Sequence, residues 1–499
     1  MSVETELKFR VPPDSLKSLD DWQIPGSTRS EPSETDLVST YFDTAKYKLK
    51  RNGLSLRVRQ TGHGHVQTIK AANPAHFGRG EWETEVEDDH PDLRKIAGTP
   101  LERLMSKKLR RKLRPVFATS VHRVTVPVRT RTSEIELAID RGRIVAGQRS
   151  GAIEEIELEL KRGRSADLFR LAKAMEQRSR AELFLRSKSE RGYDLAQGKR
   201  EQTTCAEPIE LEKDMPTADA FRVIAHSCVR HFSGNADAIR DRDPEGVHQM
   251  RVGLRRLRAA IALFSKPLRD ARTDAMKTEL KWLTDELAPA REIDVFVEEE
   301  IRPAAGEPQR GWRAIEAEFT AKRDRALDRA NQAVASERYR ALLLDILEWI
   351  EETDSHASAD ARKPIGKFAR DELHRRLRKV RKEGRRLPEL TARERHKLRI
   401  KIKKIRYAGG FFESLFPARR RKALVKLSGH LKKIQGALGS LNDFAAHCQI
   451  ATDAALQAPP QNRRARAFAS GVIVGREDEA AKPLMRKASK ELGRLAAAF

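Results

Sequence analysis

The stretch VETELKFRV (3–11) alternates Glu4, Glu6 and Lys8 with Thr5, Leu7 and Phe9. A strand sends successive side chains to opposite faces, so two carboxylates and an ammonium share one face. Leu7, Phe9 and Val11 form the other. An ordinary half-buried strand turns such charges to water. Here the pattern recurs along the first part of the chain. Arg57 and Arg59 share a face, as do Glu81, Glu83 and Glu85, then Glu134 and Glu136, then Glu155, Glu157, Glu159 and Lys161. A closed antiparallel barrel with a polar lumen accounts for this repetition, with the apolar set packed outward against helices. Carboxylates alone in a lumen would repel one another and rise in pKa, so both signs are needed. Carboxylate oxygens suit hard divalent cations, and Arg and Lys neutralise phosphate oxygens. The chemistry implied is that of a polyanion taken up with divalent metal.

The elements that must position these charges are strands as far as about residue 200. YFDT (41–44), LSLRVRQ (54–60), VQTIKAA (66–72), WETEVE (82–87), HRVTVPV (122–128), EIELAID (134–140) and EEIELELK (154–161) all alternate. Helical spacing interrupts them near 92–113 and 165–178, and takes over after the polar stretch at 197–210. The expected class is α+β, with a domain at 1–200, a linker at 201–214 and a helical domain at 215–495. A net charge of +26 calls for an anionic partner. Cys205, Cys228 and Cys448 are widely spaced and fit a reducing compartment. No signal peptide and no apolar run long enough to span a bilayer is seen, so a cytoplasmic protein without membrane contact is expected.

Glu4-x-Glu6-x-Lys8 resembles the signature of the CYTH superfamily, the triphosphate tunnel metalloenzymes. Matches follow in order: YFDT, GLSLRVR (53–59), Lys70 in TIKAA, Arg79-x-Glu81, Arg123, Asp140, EIELELK (155–161) and KSERGYDLAQG (188–198). The resemblance implies an eight-stranded antiparallel tunnel with flanking helices, its charged face inside. It implies that Glu4, Glu6, Glu157 and Glu159 hold divalent metal, two ions of Mg2+ or Mn2+, with Glu155 a lesser member. Lys8, Glu81 and Asp140 would complete the catalytic set, and Arg57, Arg59, Lys70, Arg79, Arg123 and Lys188 would bind triphosphate oxygens. Lys161 is expected at the surface and His63 and His65 at a hairpin tip.

The second half contains a repeat. HQMRVGLRRLR (248–258) and HKLRIKIKKIR (396–406) correspond at an offset of 148. Positions i, i+3, i+7 and i+10 share a helical face, so His248, Arg251, Arg255 and Arg258 form one stripe. His396, Arg399, Lys403 and Arg406 form the other. LAPAREIDVF (287–296) and LGSLNDFAAH (438–447) then correspond at an offset of 151. This region resembles the CHAD domain. That resemblance implies two four-helix bundles related by pseudo-twofold symmetry, with both stripes lining a central groove that binds inorganic polyphosphate. The usual Arg-Asp is Arg291-Glu292 here, which leaves the role of Glu292 open. Neither stripe contains an aromatic before Tyr407, whereas binders of single-stranded nucleic acid commonly interleave aromatics for stacking. Nor do the helices carry Asn or Gln placed to read bases. Polyphosphate is therefore favoured, and nonspecific nucleic-acid binding follows from charge alone.

The leading expectation is metal-dependent hydrolysis of inorganic triphosphate to diphosphate and phosphate, joined to a polyphosphate-binding domain. No Ser/His/Asp set or Gly-rich phosphate loop offers another chemistry. The alternatives are a hydrolase of thiamine triphosphate or a nucleotide, and a non-catalytic polyphosphate binder. The dense carboxylates argue against the last.

Overall fold

The computed structural model describes residues 2–3, 5–12, 15, 22–24, 26–62, 64–71, 80–198, 203–268, 270–302, 312–354, 358–458, 460 and 463–495. It forms two compact units: Met1–Thr204 with Ala335–Glu352, and Cys205–Val334 with Thr353–Phe499. Among the described residues no helix is long and apolar enough to cross a membrane.

The first unit is an antiparallel sheet of eleven segments: β1 (Ser2–Val3), β2 (Thr5–Arg10), β3 (Ser27–Arg29), β4 (Ser33–Asp43), β5 (Leu54–Thr61), β6 (Gly64–Ala71), β7 (Gly80–Val86), β8 (Arg114–Thr130), β9 (Glu134–Ala146), β10 (Arg149–Arg162) and β11 (Glu182–Leu183). The order runs β7-β6-β5-β4-β8-β9-β10, with β1 on β7 and β2 on β10. The N-terminal segment therefore bonds to both ends of that order and closes it into a ring. Eleven segments are described where eight strands were expected. The N-terminal strand counts twice, and β3 on β8 and β11 on β2 are pairings too short to show as alternation.

Five helices intervene: α1 (Lys48–Arg51), α2 (Pro100–Leu104), α3 (Lys107–Arg110), α4 (Ser165–Ser179) and α5 (Lys188–Ala196). Leu54, Leu56 and Val58 of β5 pack with Leu49 of α1, Leu101 of α2 and Leu109 of α3 in one apolar cluster. Asp43 seats α1 by accepting from the Leu49 and Lys50 amides at 2.9 and 3.0 Å. Leu7 and Phe9 are buried, on the face of β2 opposite Glu6 and Lys8.

The interior is only half charged, which differs from a wholly polar lumen. The alternate positions of β9 read Glu136, Ala138, Asp140, then Ile144 and Ala146; those of β10 read Ile153, Glu155, Glu157, Glu159. Leu37, Tyr41, Phe117, Val121, Ile144, Ile153 and Tyr193 form an apolar cluster at one end, with Tyr41 stacked on Phe117 at 4.4 Å. Tyr193 belongs to α5, which packs on β8, β9 and β10 and is started by a capping box between Ser187 and Glu190. Lys188, its first residue, lies at the charged end.

The second unit is helical: α6 (Thr217–Ser233), α7 (Ala236–Arg240), α8 (Pro244–Leu263), α9 (Thr273–Glu286), α10 (Ala288–Phe296), a π-helical turn at Val297–Ile301, and α11 (Trp312–Ala335). After α12 (Glu337–Glu351) come α13 (Ile365–Gly384), α14 (Ala392–Phe411), α15 (Ala418–Leu456) and α16 (Arg463–Leu495). The repeat is visible in the element boundaries. α8 and α14 start and end 148 residues apart, and α6 and α13 start 148 apart. Just before those starts, Pro216 and Pro364 pair as an antiparallel bridge. Thr217 N donates to Lys363 O and Ile365 N to Met215 O, each at 2.9 Å. Exchanging each residue for its counterpart 148 positions away turns one bond into the other, which is a local twofold relation. α12 is the exception. It belongs to the first unit, where it packs on α4 and β11.

Candidate functional site

The charged end of the ring encloses a cavity of about 540 Å³. Glu6, Lys8, Arg57, Arg59, Lys70, Glu81, Arg123, Glu157, Glu159 and Lys188 line it together. Glu4, Arg79 and His63 lie outside the described residues. Asp140 is fully buried behind the wall and does not line the cavity. It accepts two bonds from Arg123, each 2.7 Å, and pairs with Lys188 at 2.7 Å. Its place is that of a positioning residue.

Strand register explains the grouping. On one wall Lys70 lies opposite Glu81 across β6 and β7, and the two pair at 3.1 Å. Arg57 reaches Glu81 at 3.6 Å, and its Nε is buried without a hydrogen-bond acceptor. Arg59 donates to Ser39 Oγ at 3.3 Å. Burial and the neighbouring Arg57 guanidinium lower Arg59 to about 10. Two buried guanidinium groups side by side favour an anion between them.

On the other wall Lys8 lies opposite Glu157 and pairs with it at 2.8 Å. Lys188 meets Glu157 at 2.7 Å and Glu155 at 2.8 Å. Glu157 was expected among the metal ligands. In this structure Oε1 serves Lys8 and Lys188, and Oε2 serves Arg123. Burial alone would raise its carboxyl, but Lys188, Lys8 and Arg123 outweigh burial and hold it well below the usual range.

Divalent metal can be judged against the remaining donors. Glu159 lies directly opposite Glu6 on β2 and opposite Glu136 on β9, and all three face the cavity. Like charges in direct cross-strand register repel unless a cation lies among them. Three carboxylates offering only oxygen suit a hard divalent ion. Lys161 occupies that role in part, at 2.6 Å from Glu159 and 3.6 Å from Glu136, so it lines the cavity as well as facing solvent.

Sequence reasoning assigned no role to Glu136, Tyr41, Phe184 or Arg186, all of which line the cavity. Glu136 had its signal in the alternation of EIELAID, and Tyr41 in YFDT. Burial pushes the Tyr41 phenol up, but Arg57 and Arg59 outweigh burial and lower it. Phe184 and Arg186 follow the two-residue β11, where no periodicity could mark them. Arg191 turns away to Glu155 and the Ala152 carbonyl. Among the described residues the lining holds eight cations, counting Lys161 and Arg186, against six carboxylates, counting Glu83 and Glu136. Those residues carry an excess of positive charge.

In the second unit α8 packs on α14 and brings the two stripes together. Lys403 is lowered to about 8 by burial and by Arg399, Arg255 and Arg406. Arg255 and Lys403 are repeat counterparts. Arg251 is lowered to about 10 by burial, then by Arg255. His248 is lowered by burial, Arg291, Arg255 and Arg251. Among the described residues, the buried Nε atoms of Arg251, Arg255, Arg399 and Arg406 have no hydrogen-bond acceptor. Arg258 is exposed and lies by Lys404, and His396 is exposed on the first turns of α14.

Residues 2–193 match the family model of the CYTH domain and residues 223–452 that of the CHAD domain. The chain is a CYTH domain followed by a CHAD domain. Among curated proteins, the CYTH part is similar to an inorganic triphosphatase of Haemophilus influenzae, 31% identical over 198 residues. That match covers 39% of this chain and 55% of the relative, so the chain spans about half the relative's length. Among solved structures, the chain is similar to the CHAD domain from the plant Ricinus communis, with 28% identity and a TM-score of 0.52. That likeness covers 58% of this chain and 96% of the plant domain.

Proposed function

We propose that the CYTH unit hydrolyses inorganic triphosphate to diphosphate and phosphate with divalent metal, and that the CHAD unit binds inorganic polyphosphate. The observation that carries the first part is the two-signed cavity, with eight cations and a row of three carboxylates facing one space. Mg2+ or Mn2+ would be held by Glu6 and Glu159 with Glu136, together with Glu4. A divalent ion supplies neutralisation of phosphate charge and orientation of the attacking water. The chain's own residues do the rest. Arg57, Arg59, Lys70 and Arg123 bind phosphate oxygens and stabilise charge on the transferring phosphoryl group. Asp140 and Glu155 hold Arg123 and Lys188 in place. Tyr41 lines the cavity beside Arg57 and Arg59, whose guanidinium groups lower its phenol. The polyphosphate reading is supported by the buried Nε atoms of the two basic stripes, which have no acceptor among the described residues. A cytoplasmic setting suits both ligands.

Phosphate release from inorganic triphosphate, ATP and thiamine triphosphate tests the first part. Inorganic triphosphate is expected to turn over fastest in Mg2+ or Mn2+, with EDTA abolishing activity and added metal restoring it. Full activity in chelator would remove metal from the mechanism. Faster turnover of an organic triphosphate would favour the second reading, for which Phe184 and Tyr41 offer apolar faces in the cavity.

A further inference from the structure

The first unit carries a second concentration of positive charge that neither the cavity nor the groove uses. From Leu93 to Ser120 the sequence holds one acid, Glu102, among nine Lys and Arg. Lys107, Lys108, Arg110, Arg111, Lys112 and Arg114 are all exposed, while Leu109 anchors the turn in the core. Among the described residues none of these six side chains forms an ion pair. Leu49 of α1 shares that core cluster, and exposed Lys46 precedes α1 while exposed Lys48 and Arg51 are its first and last residues. Beside them is a pocket of about 430 Å³ lined by Thr44, Tyr47, Arg114 and Arg149. Tyr47 is held at φ 54, a left-handed conformation that costs a non-glycine residue about 1–2 kcal/mol. Its ring is braced edge-on against Tyr193 at 6.0 Å. Strain maintained in a rigid wall is a feature of ligand sites.

This pocket is remote from the triphosphate cavity. Arg114 opens β8 and Arg123 lies nine residues further along it, roughly 30 Å at the rise of an extended strand. Phe117, Val121, Tyr41, Ile144 and Ile153 fill the interior between them. No phosphate chain can thread from one to the other through that apolar stretch.

We propose that this end of the CYTH unit is a second anion site and that it docks linear inorganic polyphosphate. The exposed turn, residues 103–114, contains no aromatic, Asn or Gln, so a nucleic acid would find no stacking face or base reader along it, and only Tyr47 and Gln148 of the pocket offer either. A base-free chain of phosphates needs only the cations. The pocket receives part of the chain against Arg114 and Arg149, and the α3 turn neutralises what extends beyond it.

The test uses the full chain in four forms: unaltered, Arg255→Glu with Lys403→Glu in the groove, Lys108→Glu with Arg111→Glu and Arg114→Glu at this end, and all five together. Binding of long-chain polyphosphate is measured over a salt series. The groove variant is expected to retain salt-dependent binding, and the five-fold variant to bind at least tenfold more weakly than the groove variant. Losing three phosphate contacts should flatten the log–log salt slope by about 2. Triphosphate turnover by the end variant should stay within twofold, which also reports folding. Glutamine at the same three positions repeats the measurement without charge reversal. The proposal fails if the groove variant binds no polyphosphate, or if the end substitutions change nothing in that background. It also fails if a single-stranded oligonucleotide of equal charge binds this end as tightly.

Discussion

Lys403 offers a single-residue test of the proposed polyphosphate binding. Its ammonium is lowered to about 8 by burial, Arg399, Arg255 and Arg406. A bound polyanion favours the charged form and raises that value, so binding takes up a proton once the free group has begun to lose one. Polyphosphate affinity should therefore fall as pH rises from about 7 to 9. Lys403→Arg, whose guanidinium stays charged throughout, should remove most of that slope. Isothermal titration at several pH values checks this, and an unchanged slope in the arginine variant would assign it to another group. The cavity illustrates the complementary limit. Alternation identified Glu157 as facing inward, but only the register of β2 with β10 and the start of α5 bring Lys8 and Lys188 to its oxygens. Asp140 shares that inward parity yet ends behind the wall, because Arg123 and Lys188 lie between it and the cavity.

At the scale of elements, α12 departs most from its position in the sequence. It lies within the segment that matches the CHAD domain, yet it packs on α4 of the CYTH unit. Arg340 donates to Glu176 at 2.7 Å, and Lys173 pairs with Asp345 and Glu348 at 2.7 and 2.6 Å. Glu176 is only 3% exposed, so removing Arg340 leaves a carboxylate buried without that partner. Breaking a buried pair in this way costs about 3–5 kcal/mol. Arg340→Ala should lower the denaturant midpoint of the CYTH unit, with Arg340→Lys partly restoring it. A chain ending near residue 200 lacks α12 altogether and should unfold at a lower midpoint than the full protein. Equal midpoints by circular dichroism would show that α12 contributes nothing to the unit. The ring strands themselves were legible because each alternates over several residues. β11 spans two residues and α12 is separated by more than a hundred residues from the unit it joins, so no local period could reveal either pairing.

For the whole molecule, the proposed division between triphosphate hydrolysis in one unit and polyphosphate binding in the other predicts a double dissociation. Arg57→Ala removes a guanidinium from the cavity and should lower kcat/KM for inorganic triphosphate by on the order of a hundredfold, the loss typical of one transition-state donor. Polyphosphate affinity should stay within twofold. Charge reversal at Arg255 and Lys403 should do the opposite. A variant that impairs both activities while remaining folded would mean that the units do not work independently.

What the sequence by itself determined is everything carried by period. Alternation turned Glu6, Lys8, Arg57 and Arg59 to one side of their strands, and the offset of 148 made α8 and α14 counterparts of equal length. These follow from the fixed geometry of strand and helix, which any short window expresses. Tertiary structure decided how far along each strand the interior stays charged and where Tyr41, Phe117 and Tyr193 close it. It also decided that Glu157 pairs with Lys8, Lys188 and Arg123, and which unit receives α12. Those outcomes depend on contacts between residues far apart in the chain, where packing and ion pairing choose among partners that local geometry leaves equivalent.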